Sequence, residues 1–148
     1  MQNNRRQPGT RGAALLLVIF AMAFIALLAV AVLDVAATDL GILRNHMNGL
    51  KALYAAEAGL NTAIANLRQD KSASGTAGGS VSVAGVSCQY NASIENTFPV
   101  VTVTSTGKAA GFVRTIRARL VVAGKPFTGT YPVRIVWWRE VAGVNLIP

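Results

Sequence analysis

The sequence predicts an α+β protein. One long N-terminal helix, apolar in its first half and amphipathic in its second, packs on a small antiparallel β-sheet. Three observations predict it. Ala13 to Leu33 contain no charged or strongly polar side chain. Apolar side chains then recur at three- and four-residue steps as far as Leu67, which is the helical period. Beyond a Gly/Ser-rich break, "SASGTAGGS" at Ser72 to Ser80, the period falls to two, as in a strand with one buried face.

The first twelve residues read as a basic leader. Arg5, Arg6 and Arg11 lie within it, with no acidic residue, and Gly12 closes it. The apolar run that follows, about 21 residues, makes a helix of roughly 31 Å, close to the hydrocarbon thickness of a bilayer. A secretory signal carries an apolar region of only ~7–15 residues, so residues 13–33 read as a membrane span. Ala36-Ala37 is the junction a signal peptidase would use on the opposite reading. A buried core helix is disfavoured, because so small a domain has too little chain to cover it on every side. Arginines ahead of the span keep the N-terminus in the cytoplasm and export everything after Leu33.

Residues 34–71 read as an amphipathic continuation of the same helix. Leu40, Leu43, Met47, Leu50, Leu53, Tyr54, Leu60, Ile64 and Leu67 fill one broad stripe, with Arg44, Asn48, Lys51, Thr62 and Asn66 opposite. Gly41, Gly49 and Gly59 each weaken the helix by roughly 1 kcal/mol relative to Ala without ending the pattern. The sequence therefore predicts one helix from Ala13 to Leu67, roughly 80 Å long.

Residues 72–80 read as a flexible linker and residues 81–148 as an antiparallel β domain. Val81, Val83, Val86, Tyr90, Ala92 and Ile94 alternate roughly with polar neighbours. "FPVVTVTSTG" and "FVRTIRARLVV" predict two strands joined as a hairpin around Gly107 to Gly111, and "YPVRIVWW" a further strand. Four or five such strands make a sheet with one face to cover, and the amphipathic half of the helix carries the matching stripe.

Net charge is +8, with three of the positive side chains in the leader. The remainder is spread without a dense Lys/Arg run, so no nucleic-acid partner is expected. Cys88 is the single cysteine and reads as a small buried hydrophobe. No catalytic constellation, cofactor motif or metal-ligand spacing is found, so an enzyme is not expected. His46, the one histidine, reads as structural. Trp137 and Trp138 point to opposite faces of a strand, one expected in the core and the other exposed or covered by a partner. Glu57, in "YAAEAGL", lies within the angular range of the apolar stripe. It either reaches water at the stripe's edge or bonds beneath the sheet or to a neighbouring subunit, because an unpaired buried charge is too costly.

A basic leader, a glycine, an uninterrupted apolar helix, an amphipathic continuation and a small antiparallel sheet together resemble type IV pilins and the type II secretion pseudopilins. "RGAALLLVIF" resembles the start of PilX-type minor pilins and K-type minor pseudopilins. "ALYAAEAGLNTAIANL" resembles the second half of the PilX-type helix, and "VTVTSTG", "VRTIRARL" and "WWREV" its C-terminal strands. The resemblance implies a type IV pilin-like fold and cleavage by prepilin peptidase after Gly12. Ala13 then becomes a methylated mature N-terminus. The helix leaves the inner-membrane lipid and packs with other minor and major pilins in a filament core, where Leu17 and Glu57 would bear on assembly.

Two departures matter. Ala13 stands where major pilins usually have Phe, and Leu17 where they carry the Glu thought to pair with a neighbour's N-terminal amine. Loss of that Glu implies a minor subunit that initiates assembly at the filament tip. The rival expectations are a minor pseudopilin of a secretion system, a single-span anchored periplasmic protein, and a secreted enzyme or sugar-binding domain.

Overall fold

The computed structural model describes residues 10–124, 126 and 128–141. It contains one helix, α1 (Thr10–Gln69), and five strands, β1 (Gly75–Val83), β2 (Val86–Thr97), β3 (Val100–Ala109), β4 (Phe112–Val122) and β5 (Val133–Val141). Residues 1–9 of the leader and residues 142–148 of the expected β domain lie outside the described residues. The chain divides into two units, residues 1–43 and 44–148.

The described part of the first unit is helix, and every described residue from Gly12 to Leu43 is exposed. Its mean hydropathy reaches 3.2, long and apolar enough to cross a membrane. Leu, Ala and Met make a good helix, and among the described residues the leucine, valine and phenylalanine side chains around it are exposed.

In the second unit, helix residues 44–69 cover one face of a five-stranded antiparallel sheet of order β1-β2-β3-β4-β5. Neighbouring strands in space are neighbours in sequence, so short turns suffice. Ala84-Gly85 and Ala110-Gly111 join β1–β2 and β3–β4, and all four residues have positive φ. That is the type I′ geometry whose twist matches the flanking strands. Core side chains come alternately from the strands: Ala92 and Ile94 of β2, Val101 and Val103 of β3, Ile116, Ala118, Leu120 and Val122 of β4. They meet Ala56, Leu60, Ala63 and Leu67 of the helix.

That helical face matches the expected stripe only in part: Leu60 and Leu67 are core and Leu53 and Ile64 pack against it, but the rest of the stripe is not buried. Gly49, Ala52, Ala55, Ala56, Gly59, Leu60, Ala63 and Leu67 are buried, whereas Leu40, Leu43, Met47 and Tyr54 are exposed and Leu50, Leu53 and Ile64 are half-buried. The buried face is rotated roughly 100° from the leucine stripe. Close approach explains the choice. A Cβ at Gly107 of β3 would collide with the helix backbone at Ala52 and Ala56, and a Cβ at Gly59 with Ser105 and Tyr90. Small side chains on both surfaces bring the backbones together, and the resulting dispersion contact replaces the area that leucines would have covered.

The segment expected to be a flexible linker is also different. Residues 75–83 form the edge strand β1, paired with β2 from Gly75↔Ile94 to Val83↔Val86. Gly79 lies opposite Tyr90, and a Cβ there would strike the Tyr90 ring. The glycine makes room for an aromatic ring that packs across the strand. Only residues 70–74 connect helix and sheet, and they are tied down. Asn96 Nδ2 donates to the carbonyls of Lys71 (2.7 Å) and Ala73 (3.0 Å), and the Ser72 N–H donates to Asp70 Oδ1 (2.8 Å). The Tyr131 N–H donates to the Arg68 carbonyl (2.8 Å), satisfying one acceptor at the helix C-terminus.

Candidate functional site

Gly12 and Ala13 lie within α1, near its N-terminus, both exposed, with nothing within 4 Å of a Cβ placed on Gly12. Leu17 follows on the same helix and is 71% exposed. The first unit therefore offers an apolar helix open all round.

The helix of the second unit presents a further apolar row away from the sheet. Met47 (45% exposed), half-buried Leu50 and Tyr54 (53% exposed) lead to Glu57, at steps of three, four and three residues. That is the spacing at which one helix presents a seam to another. Glu57 is half-buried and has no hydrogen bond or ion pair among the described residues. It is not bonded beneath the sheet. Its carboxylate stands at the end of the row, open to water or to a neighbour. His46, close by, is exposed.

On the β2 side the helix is fixed by polar contact. Thr62 Oγ1 donates to the Ala58 carbonyl (3.0 Å) and lies 3.2 Å from the Tyr90 hydroxyl. Cys88 is buried among Ala52, Ala55 and Ala109, as the sequence predicts. Among the described residues Ser105 Oγ is buried without a hydrogen-bond partner, and it sits over Gly59.

On the opposite side, β5 extends past the helix. Leu120 pairs with Ile135 and Arg119 with Trp137, so Val136 is an extra residue in a β-bulge. The bulge reverses the alternation beyond it. Trp138 and Glu140 lie opposite Ala118 and Ile116 on the helix side, and Trp137 and Arg139 opposite Arg119 and Arg117 on the outer side. Glu140 Oε1 accepts from Arg114 Nη1 (2.9 Å), whose guanidinium lies against Gly49. The two tryptophans do point to opposite faces, but neither is core: Trp137 is 38% and Trp138 53% exposed. Val133 at the start of β5 packs against the core, and the strand beyond it lies exposed.

The outer face of the sheet was missed by reading charge along the chain. Arg117, Arg119, Arg134 and Arg139 share it with Trp137, because alternation and the bulge aim all of them the same way. The available signal was the spacing "RAR" within a strand, which puts Arg117 and Arg119 on one face.

Among the described residues no three His, Cys, Asp or Glu side chains converge as metal ligands. A cleft of about 470 Å³ beside β1 is lined by Gly79, Gln89, Asn91, Thr106 and Lys108, with no carboxylate, thiol or imidazole. No protein-family model, curated protein or solved structure matches the chain.

Proposed function

We propose that the chain is a PilX-like minor type IV pilin, a structural subunit rather than an enzyme. Its helix first spans the inner membrane, N-terminus in the cytoplasm, and then packs among other pilin helices in a periplasmic or surface filament. The single observation that carries this reading is the helix itself. It is apolar and exposed from Ala13 to Leu33, and in the second unit it rests on the sheet through Gly49, Ala52, Ala55, Ala56, Gly59, Leu60, Ala63 and Leu67, leaving Met47 and Tyr54 exposed and Leu50 half-buried. A plain anchor requires the first feature. A helix that must pack on other helices after leaving lipid requires both.

Processing would fall between Gly12 and Ala13, at the junction of basic leader and apolar run, with prepilin peptidase as the first partner. Leu17 supplies packing where a Glu would attract a neighbour's N-terminal ammonium, a strong effect in low dielectric. A subunit without that charge is suited to a first, tip position, with other minor and major pilins recruited below. Mass spectrometry of the membrane-extracted protein tests the reading. The expected mature chain starts at Ala13, and Gly12→Trp leaves the full-length precursor. A start near Thr38, or an uncut chain in a strain that processes other prepilins, rejects it.

A further inference from the structure

The outer face of the sheet carries a cationic and aromatic surface. Antiparallel pairing places Arg119 directly opposite Trp137, Arg117 opposite Arg139 and Val121 opposite Arg134. Thr102 and Thr104 of β3 continue the rows of Arg119 and Arg117. All four arginines and Trp137 are exposed, and the Arg139 guanidinium lies 5.4 Å from the Trp137 ring centroid. Ring and guanidinium make one platform. Lys108, also exposed, adds charge farther along the outer face of β3.

Among the described residues no ion pair neutralises this surface. Like charges directly opposite each other destabilise a sheet, and Arg117 faces Arg139. The chain has six acidic side chains. Asp34 and Asp39 belong to the first unit, Glu57 and Asp70 to the helix and its end, and Glu140 is held by Arg114 on the helix side. Only Glu95 shares the outer face, beyond Thr102 and roughly 10 Å from Arg119 at the usual strand spacing. Arg117, Arg119, Arg134 and Arg139 have no ion pair or side-chain hydrogen bond among the described residues.

We propose that this face binds single-stranded nucleic acid, with a base stacked on Trp137 and phosphates held by Arg117, Arg119, Arg134 and Arg139. Guanidinium groups match phosphate oxygens in bidentate fashion. Along β4 the arginines are spaced roughly 6.8 Å apart, and across to β5 about 4.8 Å, a flat grid that tracks an extended backbone. An exposed ring among cations is the arrangement on which unpaired bases stack. A duplex has no free base face for it. An acidic protein surface would satisfy the arginines without using the ring, and a bilayer surface would favour apolar side chains where Thr102, Thr104 and Thr115 stand. The inference does not depend on the filament reading.

Fluorescence anisotropy with the full chain in non-ionic detergent and a labelled single-stranded oligodeoxynucleotide tests it. The single strand is expected to bind more tightly than the duplex of the same sequence. Trp137→Ala is expected to weaken binding about tenfold with an unchanged salt dependence. The double variant Arg117→Gln/Arg139→Gln is expected to lower the slope of log affinity against log salt by about 1.4, one phosphate contact per arginine. Trp138→Ala, on the opposite face, is expected to change neither. If Trp137→Ala fails to fold, the arginine pair carries the test, since removing facing like charges does not harm the sheet. Equal binding of duplex and single strand, a Trp137→Ala variant that folds and binds as well as the parent, or binding confined to phosphatidylglycerol vesicles overturns the proposal.

Discussion

At the scale of single residues, the fold depends on atoms that are absent. Gly107 sits where a Cβ would enter the backbone of Ala52 and Ala56. Gly107→Val is therefore expected to destabilise the second unit by on the order of 3 kcal/mol, read as a lower thermal midpoint by circular dichroism, because the helix must be pushed off β3. An unchanged midpoint would mean that the helix does not approach the sheet so closely. Ser105 is the opposite case. Among the described residues its buried hydroxyl has no hydrogen-bond partner, so Ser105→Ala removes a desolvation cost and leaves the packing intact. The expected result is a stability equal to or about 1 kcal/mol above the parent. A loss on that scale would show that the hydroxyl has a partner. Gly107 was legible in the sequence only as part of a turn. Its role in contact depends on which face of β3 it occupies and on what lies beneath.

At the scale of elements, the second half of α1 gives one face to the sheet and leaves another exposed. In the second unit the sheet takes the small residues together with Leu60 and Leu67, and Met47 and Tyr54 remain outside. Met47→Ser with Tyr54→Ser is therefore expected to shift unfolding by less than about 0.5 kcal/mol per site, the usual range for surface changes. The same variant is expected to reduce filament number on cells if the row packs on another helix, whereas normal piliation would count against that use of the row. β5 is governed by its bulge. Deleting Val136 removes the one unpaired residue and leaves Trp137 opposite Arg119, Arg139 opposite Arg117 and Glu140 opposite Ile116. No side chain changes face, so the deletion is expected to shift stability by no more than about 0.5 kcal/mol, the usual range for surface changes, as Val136→Ala does. A much lower melting temperature for the deletion would show that the bulge itself, and not only the register, holds β5 in place. The exposed Arg114–Glu140 pair itself contributes little, about 0–1 kcal/mol.

At the scale of the whole molecule, a place in an assembly would turn on the apolar first unit. Leu17 stands on a fully exposed apolar helix. If the chain starts a filament, no subunit above it needs a charge partner. Leu17→Glu is then expected to leave filament formation intact, and deletion of the protein to cut filament number more than filament length. Immunogold label spread evenly along the shaft at the density of a major subunit would reject a tip position. Cleavage after Gly12 remains a separate matter, checked by mass, so a subunit processed normally yet found along the shaft would keep the pilin reading and lose only the initiating one.

The sequence by itself determined the class of fold: an apolar helix of membrane length, a helical continuation, and strands that build a single antiparallel sheet. These follow from periodicity, a local property that survives whatever the chain packs against. The burial of Cys88 and the turn before β4 were legible for the same reason. Tertiary structure decided which helical face meets the sheet. Leucine count pointed to one face, but contact distance selected another, where Gly49, Ala52, Ala56 and Gly59 meet Gly107 and Ser105. It also converted the Gly/Ser-rich segment into β1, since a strand's pairing energy comes from its partner, and Tyr90 supplied a ring to fill the space over Gly79. Above all it decided the outer surface. Arginines scattered along the chain became one patch because strands separated in sequence lie side by side, and because one extra residue, Val136, turned Trp137 and Arg139 to join them. Such a juxtaposition depends on register between strands, which no local pattern encodes.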